Sequence, residues 1–247
     1  MAHVPERNED QDSIKNITTI SVEELIGPLN EIEKKYAPLW LYIAGDRRIA
    51  KINPRISVIG SRHPSQEGLK NAENLVRYLI TRNAVIVSGL ALGIDTTAHK
   101  IAITNGGKTI AVLGNPLDQC YPKENYDLQK EIIRNHLAVS QFKSGHPIQP
   151  RNFPMRNRTM ALISDASIVV EAGDSSGSLS QGWETLRLGR PLFILDTVLN
   201  NKELLWPRKM IDYGAKLLSL KKMAEQLFEF LPSYENMADT KNVTLYT

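Results

Sequence analysis

The chain has a single cysteine, Cys120, in 247 residues. That excludes an internal disulfide framework and a zinc site built on clustered cysteines, and it fits a reducing cytosol. Apolar runs are short. None reaches the length needed to cross a bilayer, and Met1 to Asp12 is polar and charged, without the apolar centre of a signal peptide. A cytoplasmic protein without a membrane partner is expected. The formal net charge is only +3, so a nucleic-acid surface has to come from local clustering rather than from the field of the whole protein. The five histidines are scattered without ligand spacing, so no metal is expected. No Ser-His-Asp arrangement follows from the order of residues, no internal repeat or low-complexity tract is visible, and no catalytic residue is assigned.

What is present is a core. With 42% apolar residues the chain can bury one substantial domain plus a modest extension. Residues 1–50 read as a polar tail and a short helical extension. Within them Ser21-Val-Glu-Glu24 matches a capping box that starts a helix near residues 22–34, and Pro38 to Ile43 reads as a strand. Gly45 to Arg55 reads as a connection, with a boundary near Lys51. The main domain then spans 51–231, and 232–247 is a polar tail. Strand candidates are Ile56–Ile59, Ala84–Val87, Thr109–Leu113, Leu137–Val139, Ala166–Val170 and Pro191–Leu195, separated by helical patterns. Leu69, Ala72, Leu75, Val76 and Leu79 share one helical face. From Trp206 to Phe230 the pattern gives a short helix, a short strand and a final helix. The alternation predicts an α/β fold, a doubly wound, mostly parallel sheet with helices on both faces.

Small residues and glycines gather at the predicted strand ends: Gly60 and Ser61, then Ser88, Gly89 and Gly93, then Gly114, then Gly173 to Ser178 with Gly177 and Ser178. In a doubly wound sheet these ends share one rim, where backbone N–H groups and helix N-termini favour phosphate. The phosphate-loop pattern with Lys-Ser/Thr is absent, and the Gly89–Gly93 spacing is not the dinucleotide fingerprint. Cations stand close by in sequence: Arg62, Lys123, Arg151, Arg156 and Arg158. Arg151 to Arg158 reads as a charged loop that interleaves arginines with Asn152, Asn157 and Phe153, suited to phosphate pairing beside a stacking aromatic or to a solvated loop anchored by Phe153. Asp95 reads as a helix cap or a sugar-hydroxyl contact. Glu171 reads as a ribose or water contact or a structural hydrogen-bonding group. His99 and Cys120 read as packed residues.

Six stretches together resemble the DNA-processing protein A family (DprA/Smf): Val58-Ile-Gly-Ser-Arg62, Val87-Ser-Gly-Leu-Ala-Leu-Gly-Ile-Asp-Thr-Thr-Ala-His99, Gly107-Lys-Thr-Ile-Ala-Val-Leu-Gly114, Tyr121-Pro-Lys-Glu-Asn125, Asn152-Phe-Pro-Met-Arg-Asn-Arg158, and Val170-Glu-Ala-Gly173 with Ser176-Gly-Ser-Leu179. They run in order from about Ile56 to Lys222. The resemblance implies an extended Rossmann-like fold and sequence-independent binding of single-stranded DNA. It also implies self-association into a homo-dimer or larger homo-oligomer, and delivery of the recombinase RecA onto strands taken up in natural transformation. Carried over by position, Arg62 and Lys123 would grip phosphates, with Arg156 and Arg158 bordering the same pocket. The implied mechanism is binding, without bond-making and without a cofactor. The chain departs from the family pattern at Leu92, where an arginine is usual, at Pro150-Arg151-Asn152, and at Gln181-Gly-Trp-Glu184. The winged-helix domain often found at the family's C-terminus is not expected here.

Two other readings use the same crevice. In one, Glu171 and Glu184 supply carboxylates to a nucleoside-monophosphate phosphoribohydrolase of Lonely Guy type, although that family's Pro-Gly-Gly-x-Gly-Thr signature is absent. In the other, the chain is a nucleotide-binding sensor subunit of a multi-protein system, such as one of phage defence.

Overall fold

The computed structural model describes residues 17–228. Strand β1 (Thr18–Ile20) is followed by helices α1 (Val22–Ile26) and α2 (Glu31–Tyr36), then β2 (Leu41–Gly45) and β3 (Arg55–Ile59). Next come α3 (Gln66–Thr81), β4 (Val85–Ser88), α4 (Ile94–Thr104), β5 (Thr109–Leu113), α5 (Tyr126–Asn135) and β6 (Leu137–Ser140). The chain continues through α6 (Asn152–Ile163), β7 (Ala166–Val169), α7 (Ser178–Arg187), β8 (Leu192–Leu195), α8 (Trp206–Asp212), β9 (Lys216–Leu218) and α9 (Met223–Phe228).

The nine strands form one sheet in the order β1-β2-β6-β5-β4-β3-β7-β8-β9. From β6 to β9 every pair is parallel, and each strand from β3 to β8 is buried along its whole length. Burial on both faces is why these strands read as unbroken Val/Ile runs rather than as alternating ones. Right-handed crossovers place α3, α4 and α5 on one side and the packed pair α6 and α7 on the other. The fold is thus the doubly wound α/β sheet that the alternation predicts. Among the described residues no helix is long and apolar enough to cross a membrane.

The N-terminal part differs from expectation. The helix predicted over 22–34 is two helices, because Gly27 takes φ +104° and Pro28 follows it, and each helix has its own capping box, Ser21 with Glu24 and Asn30 with Glu33. Of the stretch read as an extension, the described residues 17–50 supply the edge of the sheet: β1 pairs antiparallel with β2, and β2 with β6. Arg190 bonds both Glu33 on α2 and the carbonyl of Ser164, which fastens this part to the loop before β7. The stretch 45–55 contains a turn of 3-10 helix, Arg47–Lys51, and Arg55 holds it from below by donating to Ala50 O (2.9 Å) while forking onto Asp165 (2.7 and 3.1 Å). The tails expected at 1–13 and 232–247 lie outside the described residues.

Inside the fold, His99 on α4 is fully buried, with Nδ1 2.7 Å from the Thr109 hydroxyl. That hydroxyl donates to Ile86 O, so it accepts from His99 Nδ1–H, and burial keeps the ring neutral. Burial, reinforced by the charge of His136, lowers the His99 pKa from 6.5 to about 3. Between these values the unfolded chain takes up a proton that the native protein refuses, so stability is complete above about pH 6.5 and is lost as pH falls toward 3. This residue alone should lower the unfolding free energy by about 2 kcal/mol between pH 7 and about pH 5. Urea denaturation at the two pH values should show that part of the slope vanish in His99→Gln, and an unchanged slope in the variant would contradict the assignment.

Candidate functional site

The chain leaves β3 toward β4 and leaves β7 toward β8, although β3 and β7 are neighbours. Their carboxyl ends therefore flank a gap that no crossover covers. A crevice of about 490 Å³ opens there, lined from Ile59 to His63 after β3, by Ala91 and Asp95 after β4, by Phe153, Arg156, Asn157 and Met160 of α6, and by the Gly173 to Gln181 segment after β7. A smaller hollow of about 80 Å³ adjoins it, sharing Arg62, Ala91, Phe153 and Arg156 and adding Leu92, Tyr121 and Pro122.

Backbone bonds join the strand ends. Ser61 N donates to Glu171 O (2.7 Å), and Ile94 N donates to Ser61 O (3.1 Å). A Cβ at Gly60 would lie 2.7 Å from Ile94 Cγ1 and 2.8 Å from Glu171 O, so this glycine permits close packing of the strand ends rather than approach of a ligand. Gly93 takes φ +75°, and a Cβ there would run into the backbone of Ser61 and Arg62. Gly114 makes room for the Phe153 ring, which a Cβ would meet at 2.7 Å. Gly177 precedes α7 without a side-chain cap of its own, and the first N–H groups of that helix are taken up locally, Ser178 N by Ser176 Oγ (3.4 Å), Leu179 N by Ser176 O (3.1 Å) and Ser180 N by Gly177 O (3.2 Å).

The segment from Arg151 to Arg158, read as a loop, is mostly the first part of α6. It has no amphipathic period because the helix is buried on nearly every side, with its polar residues bonded internally. Phe153, Arg156, Asn157 and Met160 stand at i, i+3, i+4 and i+7, one helical face, and all four line the crevice. Arg158, two residues after Arg156, points the other way: it pairs with Glu184 (3.3 Å) and lies over the Tyr36 ring. It does not border the crevice.

The expected site residues separate accordingly. Arg62 is exposed, has no carboxylate partner among the described residues, and sits 5.8 Å over the Phe153 ring. Lys123 is exposed on the 3-10 turn Lys123–Asn125, just beyond the Tyr121 and Pro122 that line the smaller hollow, and lines neither cavity itself. Tyr121 packs 5.4 Å from Phe153. Ser88 is buried and donates to Val58 O (2.7 Å), a sheet contact. Glu171 turns away from the crevice and accepts from Ser65 N (2.9 Å) and the Ser65 hydroxyl at the start of α3. Asp95 does not cap its own helix. It accepts from Gly89 N (3.1 Å) and Ala91 N (3.3 Å) of the preceding loop, and burial raises its pKa against the opposing pull of Arg156. Arg156 is itself buried and donates to the carbonyls of Gly89 and Val112, while Gly89 has no side chain because the guanidinium occupies that space.

Sequence reasoning missed Asn125, which fixes the loop before α4 by donating to Leu90 O (2.9 Å) and Thr96 Oγ1 (2.8 Å). It also missed Gln181, buried in the crevice wall. An amide on a helix carries no sequence signal of such a role. Among the described residues no group of three or more His, Cys, Asp or Glu side chains could hold a metal ion. Among the described residues Asp95 is the one carboxylate in the lining, so the crevice offers the exposed guanidinium of Arg62, serine hydroxyls and an aromatic ring to an anion.

Comparison with known proteins identifies the family. A model of the family described as DNA recombination-mediator protein A matches residues 17–232. The chain belongs to that family. It is 39% identical over 194 residues to the DNA processing protein DprA of Streptococcus pneumoniae, covering 78% of this chain and 68% of the relative. It is 32% identical over 211 residues to DprA of Bacillus subtilis, covering 81% and 70%. The solved structure of DNA processing protein A from Helicobacter pylori, determined for its unique single-stranded DNA binding mode, superposes with a TM-score of 0.74 at 27% identity over 89% of this chain and 97% of that one.

The two kinds of glycine around the crevice should respond differently to a methyl group. Gly93→Ala combines a left-handed backbone with a collision against fixed main chain and should cost roughly 1–3 kcal/mol. Gly177→Ala meets nothing within 4 Å and should stay within about 0.5 kcal/mol of the wild type. Urea denaturation of both variants checks the contrast.

Proposed function

We propose that this protein binds single-stranded DNA without sequence preference in the crevice between β3 and β7, as a cytoplasmic, non-catalytic DNA-handling module of recombination. The observation that carries the reading is Arg62: exposed, without a carboxylate partner among the described residues, and held over Phe153 in a crevice also lined by Ser175, Ser176 and Ser178. A guanidinium and serine hydroxyls suit phosphates, and an aromatic face suits any base, so affinity comes from the polyanion and from stacking. Lys123 extends the positive edge beyond the Tyr121–Phe153 pair. Hand-over of the strand to RecA, and assembly as a homo-dimer or larger oligomer, belong to the same proposal and are supported by family membership alone.

The phosphoribohydrolase reading loses support, since it needs carboxylates free in the crevice. Glu171 is bonded to Ser65, and Glu184 binds both Arg158 and Arg187 at 3.3 Å. The sensor reading would place a free nucleotide in the same space, and competition between oligo-thymidine and mononucleotides distinguishes it.

Binding of a fluorescent oligo-thymidine at two salt concentrations tests the proposal. Arg62→Ala and Lys123→Ala should each weaken binding and make the salt slope shallower by about 0.7 for each phosphate no longer neutralised. For Arg62 the loss should be roughly 1.5–3 kcal/mol, as for a hydrogen bond to a charged group. Phe153→Ala should lose about 1–3 kcal/mol with little change in salt slope. Wild-type affinity in both cation variants would refute the site.

A further inference from the structure

Arg156 is the most connected side chain in the crevice wall. Nη1 donates to the carbonyls of Gly89 and of Val112 (2.8 Å), so one nitrogen bridges the end of β4 and the end of β5. Nε donates to Asn157 Oδ1 (3.0 Å), and Asn157 Nδ2 donates to Gly177 O (3.1 Å) at the start of α7. Asp95 holds the other side of the same loop through Gly89 N and Ala91 N. These bonds connect four elements around the crevice, and the seat for the guanidinium exists because residue 89 is glycine. Arg156 is 5% exposed, in contrast to the open Arg62 beside it.

We propose that Arg156 is a positioning residue, which fixes the β4–α4 loop and the start of α7 at the spacing a sugar-phosphate chain needs, rather than a phosphate contact. This rests on the strand-binding reading above. The rival is a direct phosphate contact from Nη2. The two differ in what a charge-conserving change does. Lysine keeps the charge but cannot span two carbonyls and Asn157 together, because an ammonium is a point donor and a guanidinium a planar fork. A residue that only positions also leaves the count of displaced counterions unchanged when it is altered.

The test compares Arg156→Lys, Arg156→Met and Asn157→Ala, the last of which cuts the link to α7 without altering any charge. Each is assayed for oligo-thymidine affinity at several salt concentrations, at a temperature where circular dichroism shows it fully folded. All three are expected to lose on the order of tenfold in affinity with the wild-type salt slope, since a supporting group displaced by about 1 Å loosens the site it serves. Near-wild-type binding by Arg156→Lys together with a slope shallower by about 0.7 in Arg156→Met would show a direct phosphate contact and overturn the proposal. Lowered melting temperatures with unchanged affinity in all three would show a purely structural role and overturn it equally. If Arg62→Ala also binds as the wild type does, the strand-binding reading itself has failed, which is a separate outcome.

Discussion

The adjacency of β3 and β7 is the constraint from which the site follows. Two parallel strands lie side by side while their chains depart in opposite directions, so the main-chain groups beyond them have no crossover to cover them. The bond from Ser61 N to Glu171 O closes the base of that gap and orients the residue after it, Arg62, outward. The glycines at 60, 89, 93 and 114 then let α4, Arg156, the Ser61–Arg62 backbone and Phe153 approach to distances that a Cβ would forbid. Most of the glycine enrichment at this rim serves close packing around the crevice. Gly173 and Gly177 alone among the rim glycines border open space.

Rigidity on one side of the crevice is matched by openness on the other. The loop between β4 and α4 carries Leu90 at φ +59°, a left-handed conformation that costs a leucine about 1–2 kcal/mol. Asn125, Asp95 and Arg156 bind its main chain from three directions, which is how the conformation persists. Across the gap, the Gly173 to Ser178 segment is mostly exposed or half-buried and is held chiefly by Asn157 and by the Leu205 N bond to Asp174 (3.3 Å). A ligand would thus meet one fixed wall and one more accessible one.

How far the sequence announces this arrangement depends on how each element is buried. The six strands from β3 to β8 are legible to within a residue or so at their ends, because burial on both faces leaves an apolar run. The edge strands are less so: β1 exposes Thr18 and Thr19 and has only Ile20 buried, too little pattern to mark a strand. Helix α6 is illegible for the opposite reason, being buried nearly all round, so that polar and apolar residues follow no period. That misreading bears directly on the cation set. In a loop Arg156 and Arg158 could face the same ligand, whereas on a helix they stand about 200° apart, and one enters the wall while the other joins Tyr36 and Glu184. Gly60, Arg62 and the start of α7 are legible as a rim because a doubly wound topology brings successive strand ends to one edge.

The distribution of free and engaged donors bears on selectivity. Reading a base edge takes amides or carboxylates with unfilled hydrogen-bonding capacity. In this crevice Asn157 is bonded on one side to Arg156 and on the other to Gly177, and Asp95 is taken up by two backbone N–H groups. Gln181 is fully buried against Ser167. What remains accessible is Arg62, serine hydroxyls and the face of Phe153. Guanidinium and hydroxyl groups address phosphate, and a ring face addresses any base plane. The groups that could discriminate among bases are those already used to hold the wall, so on the strand-binding proposal the internal bonding that makes the crevice rigid would also leave it without a sequence code.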